Sequence, residues 1–466
     1  MAEDRVDILT AESAPYHANV EKFGLRFPVG TRFVEDLTVD PAVQRIDKSQ
    51  YLDPAVLSAE LQRVWKKTWQ FACTVQEVAK PGDYVTYDIG DQGYVVVRQA
   101  DGSLSAFHNA CQHRGNRLVN GNGNIKDIRC PFHGWAWRLD GSLRAIPDRH
   151  TFDCLDGDLS LQKVHVDHWA GLVFINPDPA CSVSLSEFLG PIVGQLAPYK
   201  LEDMSLVGNS VMPLSANWKT CVEAFVEVYH VNGVHPQFLP AHDDMTVAFE
   251  VLSKEFGHSR VIIPFGIPSP RLSSYRESDV VGAYVHTGGI ARGTEIDLSD
   301  VAFAWDGEDS PADAGKSRKF DNARDYLIDH LAQACATRDV DVSGLTPDQY
   351  IDDWHYFIFP GLVFNISAGG YLLLSMRPHA TDPDQCIIHT MLFQKLDPAT
   401  AAQVPVKHQE LREEGHDYGQ ILNQDYTNVV LTQRGMHSDG FKSSRLSRQE
   451  IRIATMQQVL RRMTAQ

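Results

Sequence analysis

Four residues near the first quarter of the chain could bind metal. Cys111 and His113 lie in C-Q-H-R-G, and after sixteen further residues Cys130 and His133 lie in C-P-F-H-G-W-A-W. Two thiolates and two imidazoles have two main uses. One is a closed tetrahedral zinc site. The other is a [2Fe–2S] cluster with both Cys on one iron and both His on the other. Spacing alone leaves both open. In the cluster, neutral imidazoles replace anionic thiolates and raise the reduction potential to roughly −150 to +300 mV. Gly115 and Gly134 follow each pair and would permit tight turns with close backbone approach.

A second group lies in N-W-K-T-C-V-E-A-F-V-E-V-Y-H-V-N-G-V-H-P, residues 217–236. His230 and His235 are five apart, which in a regular helix separates them by about 140° around the axis. Asn232-Gly233 offers a break that could swing His235 back, and Pro236 ends the turn. Glu227, three residues before His230, shares its face and could accept a hydrogen bond from that imidazole. Two His with one carboxylate form the facial triad of non-haem Fe(II), with positions open for O2. The bland alternative is a helix carrying two partly buried histidines.

Both stretches resemble one family. C-x-H-R-G with C-x-x-H-G-W resembles the two cluster loops of Rieske non-haem iron oxygenases, each on a hairpin tip. N-W-K opening a helix, with an acid before Y-H, is similar to their mononuclear iron motif. The likeness covers roughly residues 50–440 and is to the catalytic (α, large terminal) subunit, as in aromatic-ring-hydroxylating dioxygenases. It implies one [2Fe–2S] cluster on Cys111, His113, Cys130 and His133, and one Fe(2+) on His230, His235 and a distant carboxylate. Asp425 fits that place, since the family sets its Asp on a late helix ahead of a Q-x-G element such as Gln433-Arg434-Gly435; Asp417 and Asp439 are weaker candidates. Glu227 is the expected catalytic residue, bridging His230 to His133 of a neighbouring copy in a head-to-tail trimer.

The resemblance further implies O2-dependent hydroxylation of an apolar, aromatic substrate. Electrons would come from NAD(P)H through a separate reductase, with or without a ferredoxin, and a small β subunit is compatible with the length. Most ring-dihydroxylating relatives carry Asp where Glu227 stands. Glu occurs in a subset that includes enzymes similar to oxidisers of quaternary amines, so the alternative is a monooxygenase or N-/O-demethylase acting on a non-aromatic or quaternary-ammonium substrate. No aromatic cage for a methylammonium is evident near the motif. Phe359-Pro360-Gly361 stands where many relatives have F-P-N. Phe225, Val231, Val234, Phe238 and Leu239 could line an apolar pocket or simply pack. Trp135 and Trp137 are expected to shield the cluster or pack. Cys221 reads as a buried residue, and His108, His165 and His168 as surface or core histidines.

These residues need scaffolds. Residues 71–140 are short β-type runs with Asp101-Gly102 and Asp140-Gly141 hairpin signals. Residues 177–466 mix helices (185–199, 216–231, 321–336, 407–434, 447–464) with strand-like runs (355–366, 370–376, 385–395). The expected architecture is α+β: a polar arm over 1–55, a small all-β Rieske domain over 56–176, and a larger helix-grip-like catalytic domain with an antiparallel sheet over 177–466. Asp53 is a candidate N-cap before Pro54. Residues 268–320, rich in Ser, Gly, Asp and Arg, read equally as a lid or a solvated insertion.

The whole chain of 466 residues carries a net charge of −18. That balance argues against a nucleic-acid partner. No apolar run is long enough to span a membrane, and the start lacks a leader pattern, so a cytoplasmic protein is expected. Eight cysteines in such a chain favour metal ligation or burial over disulfides.

Overall fold

The computed structural model describes residues 17–287, 296, 298–306, 316–404, 409–413, 415 and 417–465. The first 16 residues, parts of the 268–320 stretch, and residues 405–408, 414, 416 and 466 lie outside them.

The arm is less extended than its polarity suggests. Arg45–Asp47 pairs antiparallel with Ser443–Arg445, and short helices form at Ala18–Lys22 and Ser49–Leu52. Val43, Ile46 and Tyr51 are buried and tie this segment to the core, which overrides the polar composition around them. Asp53 caps the helix Pro54–Glu60 by accepting from the Ala55 N–H, as the sequence suggests.

An antiparallel seven-stranded sheet follows, in the order 70–74, 172–176, 163–169, 104–108, 92–98, 83–89, 122–124. A three-stranded antiparallel sheet of Ile128–Arg129, Ala136–Trp137 and Leu143–Ala145 accompanies it. The Asp101-Gly102 and Asp140-Gly141 turns form as read: each Asp accepts from a Ser two residues on, and each Gly takes positive φ.

The larger sheet has eight strands, ordered 248–251, 259–263, 353–358, 362–367, 370–378, 386–394, 205–214, 409–410. All its pairings are antiparallel except the last, where Gln409–Glu410 adds parallel to Ser205–Leu214, so the expected antiparallel sheet is mixed at one edge. Helix Trp218–Phe225 packs on strands Gly370–Pro378 and Cys386–Gln394, and helix Gln420–Met436 packs on helix Trp218–Phe225. The apolar core continues across both sheets: Val85, Tyr87, Val96 and Val173 join Trp218, Leu374 and Ile388 in one buried cluster.

Several expected helices are shorter than their patterns. Residues 185–199 break at Gly190-Pro191 into Leu185–Leu189 and Ile192–Leu196. The late helix starts at Gln420, and the C-terminal one spans Ile451–Thr464. The described part of 268–320 is structured. Helix Glu277–Thr287 and the parallel strands Val301–Phe303 and Arg318–Phe320 pack with helix Ala323–Thr337 around Tyr284, Tyr326 and Leu327. Among the described residues no helix is long and apolar enough to cross a membrane.

Candidate metal centres

The two Cys–His segments fold into the same loop. In the first, Cys111 N–H donates to Asn116 O at 2.8 Å and Gly115 N–H to Cys111 O at 2.8 Å. In the second, Cys130 N–H donates to Trp135 O at 2.8 Å and Gly134 N–H to Cys130 O at 3.1 Å. The pairs Ala110↔Arg117 and Arg129↔Ala136 close the loops, so the second is the tip of a hairpin and the first is closed by an isolated bridge. Both turns need left-handed backbone at the fourth residue after the first. Gly115 (φ 74°) and Gly134 (φ 76°) supply it without Cβ strain.

The loops face each other. The His113 and His133 ring centroids are 4.7 Å apart, and Trp135 stacks on His113 at 5.0 Å with rings 4° from parallel. Trp137, fully buried, packs behind Trp135 and donates to Leu159 O, so both tryptophans belong to this centre's wall. Cys111 and Cys130 are buried while His133 is exposed beside the exposed Phe132. Burial pushes the Cys111 thiol up. At Cys130 burial also pushes up, but the backbone N–H groups of Phe132 and His133 and neighbouring side chains outweigh it and bring the thiol below its usual range. Among the described residues His113 Nδ1 is buried with no hydrogen-bond partner. A polar nitrogen left unpaired there costs about 1–3 kcal/mol unless something else binds it. Two thiols and two imidazoles converging, one nitrogen orphaned, fit a [2Fe–2S] cluster.

The second centre is built on two helices. Asn217 caps helix Trp218–Phe225 through the Lys219 N–H, and its amide nitrogen donates to Tyr51 O and Pro383 O. The chain leaves helical geometry at Val226 and passes Glu227 and His230. It makes one further turn, Val231–Val234, and breaks at His235 (φ −123°, ψ 52°) before Pro236. The break that reorients His235 therefore falls at His235 itself. Asn232-Gly233, where it was expected, stays helical.

Helix Gln420–Met436 buries Asp425, Tyr426, Val429, Gln433 and Met436 along one face. It is pinned to the first helix by Gln433, whose Oε1 accepts from Asn217 N–H at 3.1 Å and Thr220 Oγ1 at 2.9 Å. His230, His235 and Asp425 thereby converge, each offering a ligand atom within 4.8 Å of the others. Asp425 Oδ1 lies 2.7 Å from His235 Nε2 and 3.7 Å from His230 Nε2. The opposite ring nitrogens are occupied: His230 Nδ1 donates to Glu227 Oε1 at 2.6 Å and His235 Nδ1 to Gln424 Oε1 at 2.9 Å. Both rings are thus set with Nε2 toward the carboxylate, as a metal site requires. Burial lowers the affinity of His230 for a proton, but the Glu227 carboxylate more than compensates and holds its pKa above the ordinary value.

Gln424 was not singled out in the sequence; its adjacency to Asp425 is the only local hint. Asp417 and Asp439 are exposed, and Asp417 caps Gly419 and Asn423. Cys221 is buried on the helix, as expected of a packing residue. His165 and His168 are exposed, and His108 lies against Tyr94 with the rings tilted 58° at 5.0 Å. The proposed pocket residues do not form one lining: Val231, Phe238 and Leu239 share a cluster with Val228, whereas Phe225 packs toward Tyr426 in another.

Residues 68–162 match the Rieske [2Fe-2S] domain, and residues 201–466, more than half of the chain, match the ring hydroxylating alpha subunit (catalytic domain). Similar curated proteins include a glycine betaine monooxygenase oxygenase subunit of Chromohalobacter salexigens. It is 34% identical over 213 residues, 44% of this chain and 47% of that protein. An anthranilate 1,2-dioxygenase large subunit of Acinetobacter baylyi is 31% identical over 214 residues, 44% of this chain and 45% of that one. The chain spans about half the length of the curated relatives it matches. Among solved structures, a quaternary ammonium Rieske monooxygenase in complex with L-carnitine superposes with a TM-score of 0.60 at 18% identity, covering 94% of this chain and 99% of that one. A naphthalene 1,2-dioxygenase with indole bound gives 0.63 at 17%, covering 97% and 95%. At such identities these two share the fold.

Proposed function

The chain belongs to the ring-hydroxylating oxygenase α subunits that carry a Rieske domain, and from that membership we propose that it is the O2-consuming component of a multicomponent oxygenase. A separate reductase, with or without a ferredoxin, would supply NAD(P)H-derived electrons. The observation that carries this reading is the meeting of His230, His235 and Asp425 in a chain that also brings two Cys–His loops face to face. Cys111, His113, Cys130 and His133 would hold the cluster, and His230, His235 and Asp425 the Fe(2+). The arm (1–55), cluster domain (56–176) and catalytic domain (177–466) are the division this assigns.

Once bound, the cluster supplies single electrons and the Fe(2+) supplies open positions for O2. The chain's own residues prepare these sites. Glu227 and Gln424 fix the tautomers and orientations of His230 and His235, and Trp135 covers one face of His113. His133 stands exposed at a loop tip. Three copies closing head to tail would bring that tip to Glu227 of the next copy through a heterologous interface.

For the substrate, the curated similarities favour a quaternary-ammonium monooxygenase over the aromatic reading drawn from the sequence. Glu227 in place of the commoner Asp points the same way. The aromatic reading stands second, supported by the likeness to the anthranilate dioxygenase and by the apolar residues around Val231 and Phe238.

Anaerobic purification with iron, sulfide and zinc assays tests the centres: about three irons and two sulfides per chain, with a Rieske EPR signal on reduction, is expected. A colourless zinc protein without acid-labile sulfide overturns the reading. Turnover with glycine betaine or L-carnitine should release an aldehyde; a cis-diol from an aromatic acid instead selects the second reading. Sedimentation mass then separates three chains alone from three chains with small β subunits.

A further inference from the structure

Gln237 follows His235 by two residues, in the single turn Pro236–Phe238. Its Nε2 lies 2.7 Å from Gln424 Oε1, the same oxygen that accepts from His235 Nδ1 at 2.9 Å. One amide oxygen therefore receives two donors. Gln424 precedes Asp425 on helix Gln420–Met436, so the contact also joins the two segments that carry His235 and Asp425. Both glutamines are half-buried, whereas His235 is buried.

The two metal-facing histidines differ in what holds them. His230 Nδ1 faces Glu227, and a carboxylate offers an acceptor at either end. His235 Nδ1 faces an amide, which offers oxygen at one end and NH2 at the other. Turned over, Gln424 would set a donor against Nδ1. The ring would then keep its proton on Nε2, the atom 2.7 Å from Asp425 Oδ1, and a protonated nitrogen binds no metal. Gln237 is placed to decide between the two orientations, because only an oxygen can accept from His235 and from Gln237 together.

We propose that Gln237 is a positioning residue for the mononuclear metal: through Gln424 it holds His235 in the Nδ1–H tautomer and leaves Nε2 free as a ligand. The proposal rests on the reading of His230, His235 and Asp425 as the metal site. It requires no contact between Gln237 and the metal, only the amide oxygen that Gln237 and His235 share.

The test sets hydrogen-bond polarity against charge. Gln237→Glu is nearly isosteric, but a carboxylate accepts only, so it turns the Gln424 NH2 towards itself and towards His235. Gln237→Lys donates only, and so keeps the Gln424 oxygen in place. Charge alone predicts the reverse order, since an added anion attracts Fe(2+) and an added cation repels it. Fe(2+) affinity is read anaerobically on the full chain by competition with a chelator. Gln237→Glu should bind about tenfold more weakly than the unmodified chain, and Gln237→Lys more tightly than Gln237→Glu. In a Gln424→Leu chain, Gln237→Glu should cause no further loss, because the residue through which it acts is gone. Gln237→Glu binding as tightly as the unmodified chain, or the same loss with and without Gln424, overturns the proposal and leaves the metal reading standing. An unmodified chain that binds no Fe(2+) overturns both. Circular dichroism checks that each variant is folded.

Discussion

Glu227 Oε1 lies 2.6 Å from His230 Nδ1, and its other oxygen accepts the His230 backbone N–H at 3.0 Å. One carboxylate thus fixes both the ring and the main chain of a metal-facing histidine. Glu227→Gln keeps the acceptor shape but removes the charge, so iron should stay bound while turnover falls about 10- to 100-fold. Iron content measured beside the steady-state rate checks this. Turnover at the unmodified rate would mean that the charge on Glu227 plays no part.

Gln424 does for His235 what Glu227 does for His230, with a neutral acceptor. Gln424→Leu leaves the His235 Nδ1–H without its 2.9 Å partner, so the ring is free to turn and to change tautomer. Iron affinity, read by competition with a chelator, should drop about 10- to 100-fold, with the cluster's visible absorption unchanged. Gln424→Glu, which restores an acceptor, should recover most of the loss.

What could be read from the sequence was local. The two Cys–His loops announce themselves because each packs its ligands and its left-handed glycine into five residues. His230 and Glu227 sit within one turn of each other. Asp425 was placed only through family resemblance, since nothing around it in the chain marks it as facing His235. Contacts between distant segments are not legible: Gln433 reaching Asn217, or Lys219 meeting Glu60. Phe359-Pro360-Gly361 gains a physical reason only in three dimensions. A Cβ on Gly361 would sit 2.2 Å from Met376 O, whose own N–H donates to Gly361 O at 2.8 Å. Residues 185–199 read as one helix by apolar spacing, yet Gly190-Pro191 divides them.

Lys219 and Glu60 form a buried ion pair beneath the iron helix, and Trp218 Nε1 donates to the same carboxylate at 2.8 Å. Lys219→Met strands Glu60 as an unpaired buried charge. The expected loss is about 3–5 kcal/mol, seen as a lowered denaturation midpoint. Glu60→Gln combined with Lys219→Met should recover much of it, because no charge is then left buried. A double variant as unstable as the single one would show that packing, not charge, is at stake.

Glu223, on helix Trp218–Phe225, accepts from Tyr51 Oη at 2.8 Å and from Gln457 Nε2 at 2.6 Å. Burial raises its pKa from the ordinary 4.5 to about 7, against the lowering effect of those hydrogen bonds and of the Lys219 charge. In the unfolded chain the group loses its proton near the ordinary value. Between about pH 4.5 and 7 the folded chain therefore holds a proton that the unfolded chain has released, and stability must fall as pH rises through that window. At about 1.4 kcal/mol per unit, the penalty above pH 7 is at most about 3 kcal/mol. Glu223→Gln removes the titration and can still accept from Tyr51. The variant should match the unmodified chain near pH 4.5 and exceed its stability at pH 8. The quantity to measure is the difference between the two denaturation midpoints at each pH. A difference that does not grow across this window would mean that Glu223 is already ionised in the folded protein, stabilised by Tyr51, Gln457 and Lys219 more strongly than burial opposes.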